Sequence, residues 1–193
     1  AAIMSAIDLR VETANLLIGV IEKVLQNLLD ENVSIRNIVT ILETLANFAH
    51  ISKNPWDLTA KVREALGLQI CLQYVDSTEN VKKLRVMRLS EEFAQMIADH
   101  AIFPPDGSKP MVAFDNVDNR MWIQSVADSY KRVSGQGYQP IILCASTVRQ
   151  LVKSSLERDM PGIVVLSEME ILAAGRNIIT EIIDEIEINK EAI

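Results

Sequence analysis

His50 and His100 are the only two histidines in this chain of 193 residues, and the two cysteines, Cys71 and Cys144, are equally isolated. Neither histidine stands at a spacing from Cys, His or carboxylate that would build a metal site or a nucleophile–base pair. Each falls near the end of an apolar-periodic segment, where an imidazolium complements the last helix carbonyls. Both cysteines lie in apolar runs and read as buried thiols of a reducing compartment, with a disulfide between them as the alternative. Ser134-Gly135-Gln136-Gly137 has the glycines of a phosphate cradle but no following Lys-Ser or Lys-Thr, and a strand pattern comes next; it reads as a helix end and a turn. Glu91-Glu92 and the pair Glu168 and Glu170 open helical patterns, where carboxylates offset the helix dipole rather than converge as acid and base. Arg149, Lys153 and Arg158 recur along one helix and read as its solvated face, with a partner site as the alternative. Asn32-Val33-Ser34 fits a glycosylation sequon, but capping by Ser34 explains the same residues. No catalytic residue, cofactor site or metal site is predicted.

The balance of charges narrows the partners. A formal charge of −7 disfavours non-specific contact with nucleic acid or anionic lipid, since both need basic excess. Apolar residues make up 49% of the chain and aromatics only 5%, which argues against disorder and for a core of Ile, Leu and Val. No apolar run reaches the roughly 18 residues of a membrane span. The start, Ala1-Ala2-Ile3-Met4, lacks a basic n-region and an initiating Met, so it reads as a soluble excised fragment without a secretory signal.

These residues need elements to place them. Leu16, Leu17, Val20, Ile21, Val24, Leu25, Leu28 and Leu29 follow helical spacing, and Asp30-Glu31-Asn32 ends the run. Ser34 is expected to cap a second helix that turns Ile35, Ile38, Leu42, Leu45 and Ala46 inward. Asn54-Pro55-Trp56-Asp57 opens a third helix by cap, N1 proline and acidic first turn, running to about Tyr74 with Gly67 tolerated inside it. The polar stretch Asp76 to Asn80 is the expected boundary. Beyond it, Val81 to Leu89 reads as extended, Ser90-Glu91-Glu92 starts a helix, and residues 104–110 form a Pro- and Gly-rich loop. A helix over Asp118 to Ser134 stacks Trp122, Val126, Tyr130 and Val133. Pro140 to Ala145 reads as a strand buried on both faces; Ser146 caps a helix; Pro161-Gly162 breaks the chain before a strand at Ile163 to Leu166. Strand, helix, strand in that span predicts a parallel crossover. The tail from Asn177 to Ile188 suits either a strand or a helix, and its β-branched residues favour the strand. Glu181, Asp184, Glu185, Glu187 and Glu191 make the C-terminus acidic, which reads as an edge that discourages strand pairing, with an interaction edge as the alternative. The expected fold is mixed α+β: a helical subdomain over 1–78, then a small α/β subdomain over 79–193 with a short, partly parallel sheet.

One segment carries more than a fold. Lys23-Val24-Leu25-Gln26-Asn27-Leu28-Leu29, Val33-Ser34-Ile35-Arg36-Asn37, Thr40-Ile41-Leu42-Glu43-Thr44-Leu45-Ala46, Asp57-Leu58-Thr59 and Val62-Arg63-Glu64-Ala65-Leu66 stand in the order of a signature of the FlhA (FHIPEP) family of flagellar type III secretion export-gate proteins. Pro140-Ile141-Ile142-Leu143, Arg149 and Ile163-Val164-Val165-Leu166-Ser167 with Glu170 resemble the final subdomain of that family. The resemblance covers most of the chain after the first 15 or so residues.

The resemblance implies the last two of four cytoplasmic subdomains, tethered to the bacterial inner membrane only through an N-terminal region not in this sequence. It implies a non-enzymatic module without cofactor, on the cytoplasmic face of that membrane. Its partners would be other copies of itself in a ring, typically of nine, flagellar export substrates with their chaperones, and soluble export-apparatus components. Packing explains the apolar members of the signature, so Gln26, Asn27, Arg36, Glu43 and Arg63 are the candidate partner or ring contacts; Glu43 pairing with Arg36 or Arg63 inside the subdomain is the structural alternative. Two other functions stay open from the residues: the homologous gate of a virulence injectisome, and an unrelated small-molecule enzyme built on the C-terminal half.

Overall fold

The computed structural model describes residues 17–76 and 78–188. Its contacts divide into two compact units, Ala1–Ala65 and Leu66–Ile193.

In the first unit α1 covers residues 17–30 and buries Val24 and Leu28. It ends on a Schellman motif. Asn32 takes a left-handed φ of 58°, its amide donates to Leu29 O (2.9 Å), and the Val33 amide donates to Leu28 O (2.9 Å). That ending buries Val33, and residues 33–37 form no helix or strand, so the second helix starts later than Ser34 predicts. Ser34 closes a local turn instead, its hydroxyl accepting from the Arg36 amide at 3.3 Å. Helix α2 is Ile38–Phe48 and has no side-chain cap bond at Asn37. It buries Ile41, Thr44 and Leu45, whereas Ile38 and Leu42, expected inside, are exposed. Helix α3, Pro55–Ala65, opens as predicted: Asn54 Oδ1 accepts from the amides of Trp56 (2.8 Å) and Asp57 (3.4 Å).

The expected run of the third helix to Tyr74 breaks at Leu66, and a separate helix α4, Gly67–Leu72, follows. Gly67 opens it at a close backbone contact. A Cβ there would lie 2.3 Å from Glu170 O and 2.8 Å from Ala173 Cβ, so the glycine permits backbone contact rather than being merely tolerated.

The second unit is organised by strand β1, Lys83–Leu89. Helix α5, Glu91–Asp99, follows, capped by Ser90 accepting from the Phe93 amide. Two short strands, β2 (Ala101–Ile102) and β3 (Met111–Val112), pair antiparallel around the Pro-rich loop; they are too brief to leave a sequence period. Helix α6 runs Asn116–Gly135 and starts ahead of Asp118 because Asp115 caps it. Its buried face is Trp122, Val126, Ser129 and Val133; Tyr130 is exposed. Strand β4 (Ile141–Cys144), helix α7 (Ser146–Leu156), strand β5 (Val164–Ser167), helix α8 (Glu168–Ala174), the 3-10 turn Gly175–Asn177 and strand β6 (Ile179–Ile186) complete it. Ala145, not Ser146, holds the N-cap position of α7 and makes no side-chain bond there.

The four long strands form one sheet in the order β5-β4-β1-β6, and every pair is parallel. Strand β4 is buried at all four positions, as expected for a parallel sheet covered by helices on both faces. The register of β6 slips by one between Val86 and Met87, a bulge that turns Ile183 against the core. Phe93 and Trp122 meet edge to face at 5.0 Å, and Trp122 Nε1 donates to Ser155 Oγ at 2.9 Å.

Candidate partner-binding surfaces

Two side chains from α1 and Glu31, just past its end, meet three from α3 in a polar ladder. Lys23 Nζ lies 5.3 Å from the Trp56 ring centroid, Asn27 Nδ2 donates to Thr59 Oγ1 at 3.1 Å, and Arg63 Nη1 lies 3.4 Å from Glu31 Oε2. The near-constant sequence offset of the three pairs means the two helices run in the same direction. The Thr59 hydroxyl donates in turn to Pro55 O at 2.6 Å. Two of the candidate residues therefore stand together inside the unit: Asn27 is 4% and Arg63 2% exposed.

The other three face outward. Gln26 donates to Asp30 one turn on, at 2.7 Å; Arg36 and Glu43 are exposed at and beyond the start of α2. They border two apolar stripes. On α1, Ile18 and Leu29 are exposed and share a side with Leu25, next to Gln26. On α2, Ile38, Val39 and Leu42 form a second stripe, with Val39 63% exposed. A signal for this was present in the sequence. At about 3.6 residues per turn, the apolar residues of α2 from Phe48 round to Val39 cover about half its circumference, more than one neighbouring element buries.

In the second unit, topology makes a crevice. Strand order reverses between β1 and β6, and ligands of open α/β sheets sit outside the carboxyl ends of strands at such a point. Here that position is an opening of about 1100 Å³ lined by Arg88, Ser90, Glu91, Glu92, Cys144, Glu168, Glu185 and Glu187, among others. Arg88 already faces Glu185 at 3.2 Å. The amides at the start of α5 and α8 could in principle hold a phosphate, but Glu91, Glu92, Glu168 and Glu170 fill those first turns with negative charge. An anionic ligand would be repelled. No group of three or more His, Cys, Asp or Glu among the described residues is arranged to hold a metal ion. Of these residues Glu170 is spoken for: its carboxylate accepts from the Ser167 amide (2.6 Å) while the Ser167 hydroxyl accepts from the Glu170 amide (3.1 Å), a complete capping box.

The basic row of α7 is not a solvated face. Arg149 is buried, with Nη1 donating to Val165 O at 3.3 Å. Lys153 donates to Ile163 O at 2.7 Å and Pro161 O at 3.1 Å, pinning the turn before β5. Only Arg158 stays exposed. His100 Nδ1 lies 2.8 Å from Met96 O, the helix-end role expected of it. Across the sheet, Arg85 touches Glu79 (2.7 Å), Glu181 (3.2 Å) and the face of Tyr138 (4.6 Å); the bond to Glu79 holds its guanidinium protonated above the usual arginine range. Among the described residues no helix is long and apolar enough to cross a membrane.

Comparison with known proteins agrees with the signature. Residues 7–175 match the FHIPEP family. The flagellar biosynthesis protein FlhA of Borreliella burgdorferi is 31% identical over 179 residues, 91% of this chain and 24% of that protein. The FlhA of Treponema pallidum is 38% identical over 156 residues, 80% of this chain and 22% of that protein. The chain thus spans less than a quarter of the length of these curated relatives. Among solved structures, the nonameric EPEC SctV-C superposes with a TM-score of 0.69 at 24% identity, covering 94% of this chain and 55% of that one. The Chlamydia pneumoniae CdsV and CdsO protein complex gives 0.72 at 25% identity, over 95% of this chain and 54% of that one.

Proposed function

Because this chain belongs to the FHIPEP family, we propose that it is a non-enzymatic, ring-forming and docking module from the cytoplasmic region of a flagellar protein-export gate. On this reading residues 1–78 answer to the family's third cytoplasmic subdomain and 79–193 to its fourth. The full protein sits at the bacterial inner membrane, assembles into a ring of about nine copies, and receives export substrates, their chaperones and soluble export-apparatus components.

The observation that carries the assembly half of this reading is the pair of outward apolar stripes on the first unit. A closed ring of identical copies is built head to tail, so each copy needs two different, complementary faces. Ile18, Leu25 and Leu29 with Gln26 on α1 supply one such face. Ile38, Val39 and Leu42, flanked by Arg36 and Glu43, supply the other. Asn27 and Arg63, buried between α1 and α3, support these faces from within.

The test is genetic. A Val39→Glu/Leu42→Glu substitution in the full-length protein should abolish motility and export of flagellar subunits while its cellular level stays normal. Full motility would refute the assignment of this face. Restoration of a flagellar rather than a virulence-secretion mutant by the unmodified protein separates the flagellar reading from its injectisome counterpart; the flagellar reading is favoured by relatives at 31% and 38% identity that are flagellar proteins.

A further inference from the structure

We infer that the Lys23–Trp56, Asn27–Thr59 and Glu31–Arg63 ladder is a register lock that fixes the height of α1 on α3. The apolar residues cannot do this. Val20, Val24 and Leu28 recur every fourth position along α1, and Leu58 and Val62 do so along α3. Sliding α1 by four residues, about 6 Å, carries each apolar side chain into the place of the next. Burial of hydrocarbon is non-directional and scarcely distinguishes the two arrangements.

The polar rungs remove that degeneracy. A slide towards the C-terminal end of α3 takes Glu31 off Arg63 and sets Asn27 opposite the guanidinium. A slide the other way sets Glu31 beside Thr59 and Asn27 beside Trp56. Both separate an ion pair whose side chains are 3% and 14% exposed, and a parted buried charge is far more costly than a mated one is stabilising. The ladder is not optimised for strength. Among the described residues Asn27 Oδ1 is buried without a hydrogen-bond partner, a penalty that an apolar residue of similar size would not carry. A buried amide kept at that cost is the pattern of a residue that specifies alignment, as a single buried Asn does in coiled coils. The lock also sets the height of the outward stripe Ile18, Leu25 and Leu29, which any slide of α1 would displace.

The experiment uses the isotope-labelled 193-residue chain with one rung at a time made apolar or uncharged: Asn27→Leu with Thr59→Val, and separately Glu31→Gln with Arg63→Met. The expected result is a folded protein with a thermal midpoint at or above that of the parent. The α1 amide signals should be doubled, the minor set reaching about 10% and carrying α1–α3 contacts shifted by four residues. Doubling in at least one folded variant establishes the lock. A single set of native signals in every variant that folds overturns it. So does failure of both variants to fold, because the ladder would then be holding the fold together rather than choosing its register.

Discussion

The two units of this chain use their buried polar side chains differently. The second unit has the interior of an ordinary parallel α/β domain: Met87, Phe93, Trp122, Ile142, Val152 and Ile186 fill its core, and its acidic residues line the crevice and the edge. The first unit buries Asn27, Thr59 and Arg63 and leaves Ile18, Val39, Leu42 and Ile51 outside. In the second unit buried Arg149 and Glu170 bond backbone groups, and Phe103, Val117 and Leu172 are exposed as well. In the first the buried polar side chains bond one another between two helices, a ladder that supports α1 without maximising stability.

Breaking the inner ladder should have the largest effect. Arg63→Glu places two carboxylates together at a position 2% exposed and should cost about 3–5 kcal/mol, read as a lowered urea midpoint. A smaller loss comes from the second unit. Gly67→Ala drives a methyl into Glu170 O and should cost about 1–3 kcal/mol in the same measurement, with the loss confined to amide-exchange protection around α4 and α8. Ser167→Ala removes one half of the capping box and should cost about 1 kcal/mol. An effect near zero would mean that the neighbouring sheet alone holds α8.

The smallest effect concerns a surface turn. The Thr78 hydroxyl (2.6 Å) and amide (2.8 Å) bond the Asp76 carboxylate, and the hydroxyl bond above all holds its pKa below the ordinary 3.8. A carboxyl with a depressed folded-state pKa adds stability above its unfolded value and loses it as pH falls through the folded one. The loss therefore begins below about pH 3.8. Thr78→Val should move the Asp76 titration, followed by NMR, up towards that value; no movement would assign the shift to another group.

The second unit was largely readable from its sequence, and the reasons are physical. Strands β4 and β5 are short apolar runs bounded by Pro, Gly and Ser, and a parallel sheet demands such runs. Ser90 is a true cap because the residue before it ends a strand. The first unit was legible in its elements and not in its faces. Helical spacing located α1 and α3, but it cannot tell which half of an over-wide apolar arc turns inward, so Ile38 and Leu42 were placed in the core. Ser34 has the chemistry of a cap, yet after Asn32 in the left-handed region and buried Val33 the chain runs on to Asn37 before the helix begins. Polar type proved a poor guide to exposure: Asn27, Arg63 and Arg149 are buried because a partner lies across the chain, 16 or 32 residues away. Such pairings leave no local mark.

The central claim is that the outer stripe of α2 is an assembly face. The direct test is mass photometry of the full-length protein in detergent, parent against Val39→Glu/Leu42→Glu, with thermal midpoints measured alongside. Both residues are already exposed, so the substitutions should leave folding stability within about 0.5 kcal/mol. The account predicts large rings in the parent and single copies in the variant at an unchanged midpoint. Rings of the same size in both would contradict it.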